Sequence, residues 1–214
     1  MLPVVNSPEA IEATQFYADI LSKAGPAGVA SWAWAEVLAA MEQGEVAMAI
    51  DASDFGFQIE DAARSHSAGK WGYTVIPAGP HGIHPSVFSF ILTMNTASRN
   101  KGPAWLFMQW VTSKSTDLEV ATQTGIPIRT STMQGASFEQ VVGHIGGGQW
   151  AEASTESLNI ADADFRPRFE YWREVGDRLG IAVQATIAGE SAKTALDEAQ
   201  RDIERILRRA GLID

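Results

Sequence analysis

The sequence predicts an α/β fold, and three observations carry that reading. Three short apolar runs, 46–50 (VAMAI), 71–76 (WGYTVI) and 87–94 (VFSFILTM), have the length of strands and end in turn-forming residues. Around them lie longer stretches whose apolar residues recur every three or four positions, the period of a helix. Helix punctuation stands at matching places, as where Ser7-Pro8-Glu9 offers a hydroxyl cap, a proline and a carboxylate, and Gly25-Pro26 makes a stop.

Taken in order, the first helix runs between those two signals and repeats Ile11, Phe16, Ile20 and Leu21 on one face. A Gly/Ala/Ser loop carrying Trp32 and Trp34 leads to a second helix over 35–43, with Val37, Leu38 and Met41 on its buried side. Gly44 ends it, and 46–50 follows as a short buried strand. A polar turn with Asp51, Ser53 and Asp54 then enters a helix reaching Ile59. The strand over 71–76 closes at Pro77 and a Gly-Pro turn, and AGPHGIHP is turn-forming and exposed. The run over 87–94 suits a strand buried on both faces. A turn over 95–100 opens the helix GPAWLFMQWVTS, where Trp105, Met108 and Val111 form a stripe widened by Leu106 and Trp110. Another helix over 116–124 stops at Gly125, and IPIR (126–129) returns as an extended piece. Helical patches at 138–145 and 150–154 sit among glycines. Arg166-Pro167 opens a helix to about Ile187, and Ser191 caps the last one. That final helix places Ala192, Ala195, Leu196, Ala199, Ile203, Ile206, Leu207 and Ala210 on one face, and Gly211 ends it.

Composition narrows the function. The chain has 214 residues, enough for one large domain or two small ones, and its 45% hydrophobic content is that of a globular protein. A net charge of -10 argues against nucleic acid, which calls for clustered Lys and Arg. With no cysteine, thiolate metal sites, disulfides and Cys nucleophiles are excluded together. No apolar run approaches the roughly 20 residues of a membrane span. The opening MLPVVNSPEA has neither a basic n-region nor an apolar h-region, so no signal peptide is expected within this chain.

Several segments resemble, in order, the family 1 extracellular solute-binding proteins, the sugar and polyol receptors of ATP-binding-cassette (ABC) importers. They are GEVAMAID, the Gly69-Lys70-Trp71-Gly72-Tyr73 strand with its IPAGP turn, NTASRNKGPAWLFMQW, TGIPIRTS, and the closing TIAGESAKTALDEAQRDIERIL. The opening NSPEAIEATQFYADIL and the loop AGPAGVASWAWAE most resemble the sugar- and polyol-binding branch. The resemblance implies the C-terminal lobe of a periplasmic-binding-protein-like (class II) fold, helix-rich, with most of the N-terminal lobe absent. Residues 1–86 are then a lobe-two α/β segment, and 87–124 a return segment that packs on lobe one. Residues 125–214 complete lobe two with the hinge and C-terminal helices. Family members are considerably longer, so this chain is expected to be a fragment with weak or no binding of its own. The implied partners are a small-molecule sugar or polyol and ABC permease subunits, in the periplasm or outside the cell. With lobe one missing, 87–94 and the Trp105/Trp110 helix lose their cover, and a homo-oligomer is expected. The competing reading is a ligand-free, self-associating structural remnant.

Six residues are candidates for solute contact. Trp34 suits an aromatic wall against C–H surfaces, with a core position as its alternative. Asp51 and Ser53, at the tip of the strand over 46–50, suit hydroxyls, although Ser53 or Asp54 also suits capping of the next helix. Arg129 could fork over vicinal hydroxyls or pair with an acidic neighbour. Phe88 lines a cleft or sits in a buried strand, and Trp172 supplies a second wall in competition with Tyr171. His81 and His84 lack a third ligand, so no metal is expected. Neither a G-x-S-x-G elbow nor a Walker-type loop is present, so no enzyme and no cofactor are expected. A carbohydrate-acting enzyme built on Asp51 and a second carboxylate is the remaining alternative.

Overall fold

The computed structural model describes residues 2–214 and divides into two compact units. One unit joins the N-terminal residues up to Glu36 with Arg166–Asp214, and the other is Val37–Phe165.

The first unit is helical. α1 (Pro8–Ala24) is capped by Ser7, whose hydroxyl accepts from the Ala10 N–H. α9 (Trp172–Ile187) begins later than the Arg166-Pro167 signal predicts, because 166–171 runs as bends and a turn. α10 (Ala192–Arg209) buries the face that its period predicts, from Ala192 through Leu207. Leu196 and Ala182 anchor one half of this core, and Ile203, Leu207 and Val175 the other. The Gln200 amide fastens the N-terminal segment, accepting from the Val5 N–H at 3.1 Å and donating to the Pro3 carbonyl at 2.8 Å. α1 departs from expectation. It buries Ala18, and leaves Phe16 and Ile20 exposed. Ser191 accepts from the Thr194 N–H as the cap of α10, and Ser191→Ala is expected to cost about 1 kcal/mol in a urea titration.

The second unit holds α2 (Trp34–Gln43) from Val37 onward, α3 (Phe55–Ile59), α4 (Lys101–Val111), α5 (Lys114–Thr124), α6 (Thr130–Met133), α7 (Ala136–Val142) and α8 (Gln149–Asn159). Leu38 and Met41 of α2 pack on Phe55 and Ile59 of α3, while Ala121, Phe138, Val142, Ile145 and Trp150 form a second cluster. Gly125 ends α5 in the left-handed region at φ +73°, and a Cβ there would stand 2.5 Å from the Phe57 Cβ. Only glycine meets both demands.

The three runs expected as strands are non-helical, but among the described residues they form no ladder. The two bridges present are isolated, Gly79 with Gly82 and Ser86 with Asp162. A strand needs a neighbouring strand for its N–H and C=O groups, and these runs meet side chains or solvent instead. The Tyr73 N–H donates to the Gln149 side chain at 3.2 Å. Met48 and Ile50 are exposed, so 46–50 is not buried as expected. The run over 87–94 is not buried on either face, since Phe90 is 91% and Ile91 80% exposed.

Candidate functional site

The Asp51–Asp54 turn of the second unit is the best-supported candidate. Asp51 is exposed, and its Oδ1 accepts from the Ala52 N–H at 2.7 Å, which holds the carboxylate at the turn while leaving it open to solvent. The Ser53 side chain is exposed too, and its carbonyl accepts a 2.6 Å hydrogen bond from the Trp150 indole N–H. Asp54 holds the position before α3, yet its carboxylate caps no helical N–H. Its Oδ2 accepts from the Gln58 side chain at 3.3 Å. Burial pushes the Asp54 carboxyl above the ordinary carboxylate range, and the charge of Asp51 adds to the effect. The turn therefore presents one exposed carboxyl group and one hydroxyl, with a second carboxyl partly withdrawn behind them.

Trp150 is the residue that sequence reasoning missed. It is 5% exposed at the start of α8, 97 positions from the carbonyl it holds, and its ring lies flush against Gly56 of α3. A lone tryptophan after three glycines gives no local signal of such reach. Trp150→Phe keeps most of the packing and removes the hydrogen bond. It is expected to cost about 1 kcal/mol in chemical denaturation.

The other candidates lie elsewhere. Arg129 neither pairs with an acid nor stands free. Its Nε donates to the Thr112 carbonyl at 2.8 Å, and its Nη2 donates to the same oxygen. Thr112 is the C-cap of α4, so the guanidinium satisfies a carbonyl that the helix leaves open. Phe88 is exposed, edge-on to Phe90 with ring centroids 4.9 Å apart. Trp34 and Trp172 belong to the first unit. Trp34 is the first residue of α2 and 44% exposed, whereas Trp172 opens α9, half-buried against that unit's core with Phe169 at 6.4 Å. Asp51 and Ser53 alone share one turn.

Two polar clips stiffen the second unit. The Tyr73 hydroxyl donates to Glu60 at 2.8 Å, and burial together with that carboxylate keeps the phenol protonated well above its usual range. Asp117, 2% exposed, accepts from the Ile128 N–H at 3.0 Å and from the Thr132 hydroxyl at 2.5 Å. His84 bonds the His81 carbonyl at 3.0 Å, and the described residues hold no cluster of three metal-ligating side chains.

Residues 3–117 match the family model described as bacterial extracellular solute-binding protein. The chain is 27% identical over 196 residues to an erythritol/L-threitol-binding protein of Mycolicibacterium smegmatis, covering 90% of this chain and 40% of that protein. It is 26% identical to a mannitol-binding protein of Pseudomonas aeruginosa, covering 98% of this chain and 51% of that one. Among solved structures, an ABC transporter solute-binding protein from Agrobacterium radiobacter in complex with ribitol superposes with a TM-score of 0.86 at 26% identity. It covers 96% of this chain and 51% of the receptor. The chain thus spans about half the length of the relatives it matches.

Proposed function

The chain belongs to the bacterial extracellular solute-binding protein family, and from that premise we propose that it is the C-terminal part of a receptor that captures a sugar alcohol or sugar for an ABC importer. The observation that carries this reading is the superposition of nearly the whole chain on half of the ribitol-bound receptor. The two sequence relatives named for binding four- and six-carbon polyols support the same solute class. In this reading the receptor works outside the cytoplasmic membrane and delivers its solute to permease subunits. Residues 1–86 and 125–214 build the second lobe, while 87–124 cross to the first.

In the second unit, solute recognition is assigned first to Asp51, whose carboxylate accepts from sugar hydroxyls, then to Ser53, with Phe88 as a secondary aromatic wall. In the first unit, taken by itself, Trp34 is the leading aromatic candidate and Trp172 the secondary one. Arg129 takes part only by leaving the Thr112 carbonyl. Each lobe of such a receptor supplies part of the contacts, and closure completes the site. Alone, this chain is therefore expected to bind a sugar alcohol weakly, with a Kd of about a millimolar.

Titration calorimetry with sugar alcohols and monosaccharides tests the proposal. Asp51→Asn is expected to weaken binding about tenfold, the loss of one charge-assisted hydrogen bond. Undiminished polyol binding by that variant contradicts the assignment of Asp51. Preference for an amino acid or peptide over every polyol contradicts the solute class.

A further inference from the structure

The turn that carries Asp51 and Ser53 gets little support from the chain on either side of it. Ahead of it, 46–50 enters no ladder among the described residues, and Met48 and Ile50 are exposed. Behind it, Asp54 gives α3 no side-chain cap. Support comes instead from the start of α8, which grips α3 at both ends. At the front, the Trp150 indole N–H donates to the Ser53 carbonyl at 2.6 Å, and the same oxygen accepts from the Gly56 N–H at 3.3 Å. At the back, the Gln149 side-chain oxygen accepts from the Tyr73 N–H at 3.2 Å. The Tyr73 hydroxyl in turn donates at 2.8 Å to Glu60, the residue that ends α3. Glu60 accepts from the Gly69 N–H at 2.5 Å with its other oxygen. Two glycines make room for the two rings. A Cβ on Gly56 would stand 2.0 Å from the Trp150 ring, and one on Gly146, in the glycine run before α8, 2.5 Å from the Tyr73 ring.

We infer that Trp150 is a positioning residue for solute recognition. It fixes the Asp51–Asp54 turn through the Ser53 carbonyl, while Gln149 and Tyr73 stop α3 from tilting away at its far end. The inference rests on the assignment of Asp51 to the solute. Trp150 does not touch that solute itself, because it is 5% exposed and its one donor is committed to Ser53. Its contribution is order. A loose turn has to be immobilised when solute binds, and that cost is subtracted from the affinity, whereas a turn already fixed incurs it during folding. Trp150 outweighs Gln149 in this role, since the indole bond is short and partly buried and the Gln149 bond is exposed.

Titration calorimetry with a panel of sugar alcohols, combined with backbone hydrogen exchange, tests this. Trp150→Phe keeps a ring against Gly56 and removes the donor. It is expected to bind the preferred sugar alcohol about fivefold more weakly, the equivalent of one neutral hydrogen bond. Its Phe55 and Gly56 amides, which are bonded to the Ala52 and Ser53 carbonyls of the turn, are expected to exchange faster. Ser191→Ala, expected to lose similar stability in the other unit, leaves affinity and exchange at those amides as in the parent. Adding Trp150→Phe to Asp51→Asn is expected to weaken binding by less than about a further twofold, because the carboxylate whose position the indole fixes is already gone. Parent-like affinity in Trp150→Phe overturns the inference, as does an equal loss in Ser191→Ala, which would make affinity follow stability. The full fivefold loss on top of Asp51→Asn overturns it too. If the parent binds no sugar alcohol, the proposed solute class fails and exchange alone decides the brace. Faster Phe55 and Gly56 amides in Trp150→Phe then support it, and unchanged ones overturn it.

Discussion

Gly56→Ala is expected to destabilise the chain by about 3 kcal/mol, the upper part of the range for overpacking a buried site. A Cβ at this position would lie 2.0 Å from Trp150 Cδ1 and 2.3 Å from Nε1. Neither partner has room to yield. Gly56 and Trp150 are both buried, and the indole is also held by its bond to the Ser53 carbonyl. Moving the ring breaks that bond and opens the cluster around Phe138 and Val142, whereas moving α3 shifts Phe55 and Ile59 against Leu38. The midpoint of urea unfolding reads the effect. Pairing Gly56→Ala with Trp150→Leu should recover part of the loss, because the smaller side chain removes the clash while leaving its own cavity. A single variant as stable as the parent would mean that α3 does not press on the indole.

Asp117→Ala is expected to cost a similar amount, about 3 kcal/mol. The carboxylate is almost wholly buried and holds two groups eleven and fifteen positions ahead of it, the Ile128 N–H and the Thr132 hydroxyl. Removing it strands both donors, and an unsatisfied buried donor costs about 1–3 kcal/mol. The damage extends to Arg129, because the 126–132 return that Asp117 pins also carries the guanidinium to Thr112. Asp117→Asn keeps one acceptor oxygen and is expected to retain about half of the lost stability. Comparing the two variants by thermal unfolding separates lost hydrogen bonding from lost packing.

The helices were legible because their signals are local. Ser7 and Ser191 each accept the N–H three residues ahead, and Gly125 and Gly211 fall at helix ends in the left-handed region, whereas the Ser113 cap, which starts α5 two residues before the expected 116, went unread. The apolar face of α10 followed directly from its period. The strands were less legible, since composition shows that 46–50, 71–76 and 87–94 suit a sheet but not whether a neighbour stands alongside. Phe16 and Ile20 fall on the apolar face that the period of α1 predicts, yet they are exposed. Periodicity finds the apolar side of a helix, and only tertiary packing decides whether that side is covered. At the candidate site, Asp51 and Ser53 lie on one exposed turn, but the buried strand expected to carry them is absent from the described residues. The Arg129 partner was not foreseeable, because a backbone carbonyl seventeen residues away carries no mark in the sequence. Gly56, alone inside the pattern FGFQI, was the one available hint that a ring presses on α3.

The most direct test of a half-receptor joins the first half of the ribitol-binding relative to this chain and titrates the chimera and the chain with the same sugar alcohols. Tighter polyol binding by the chimera, by about a hundredfold or more, is the predicted result, with Asp51→Asn abolishing most of the gain. Equal affinity of chimera and chain for every polyol would contradict the account.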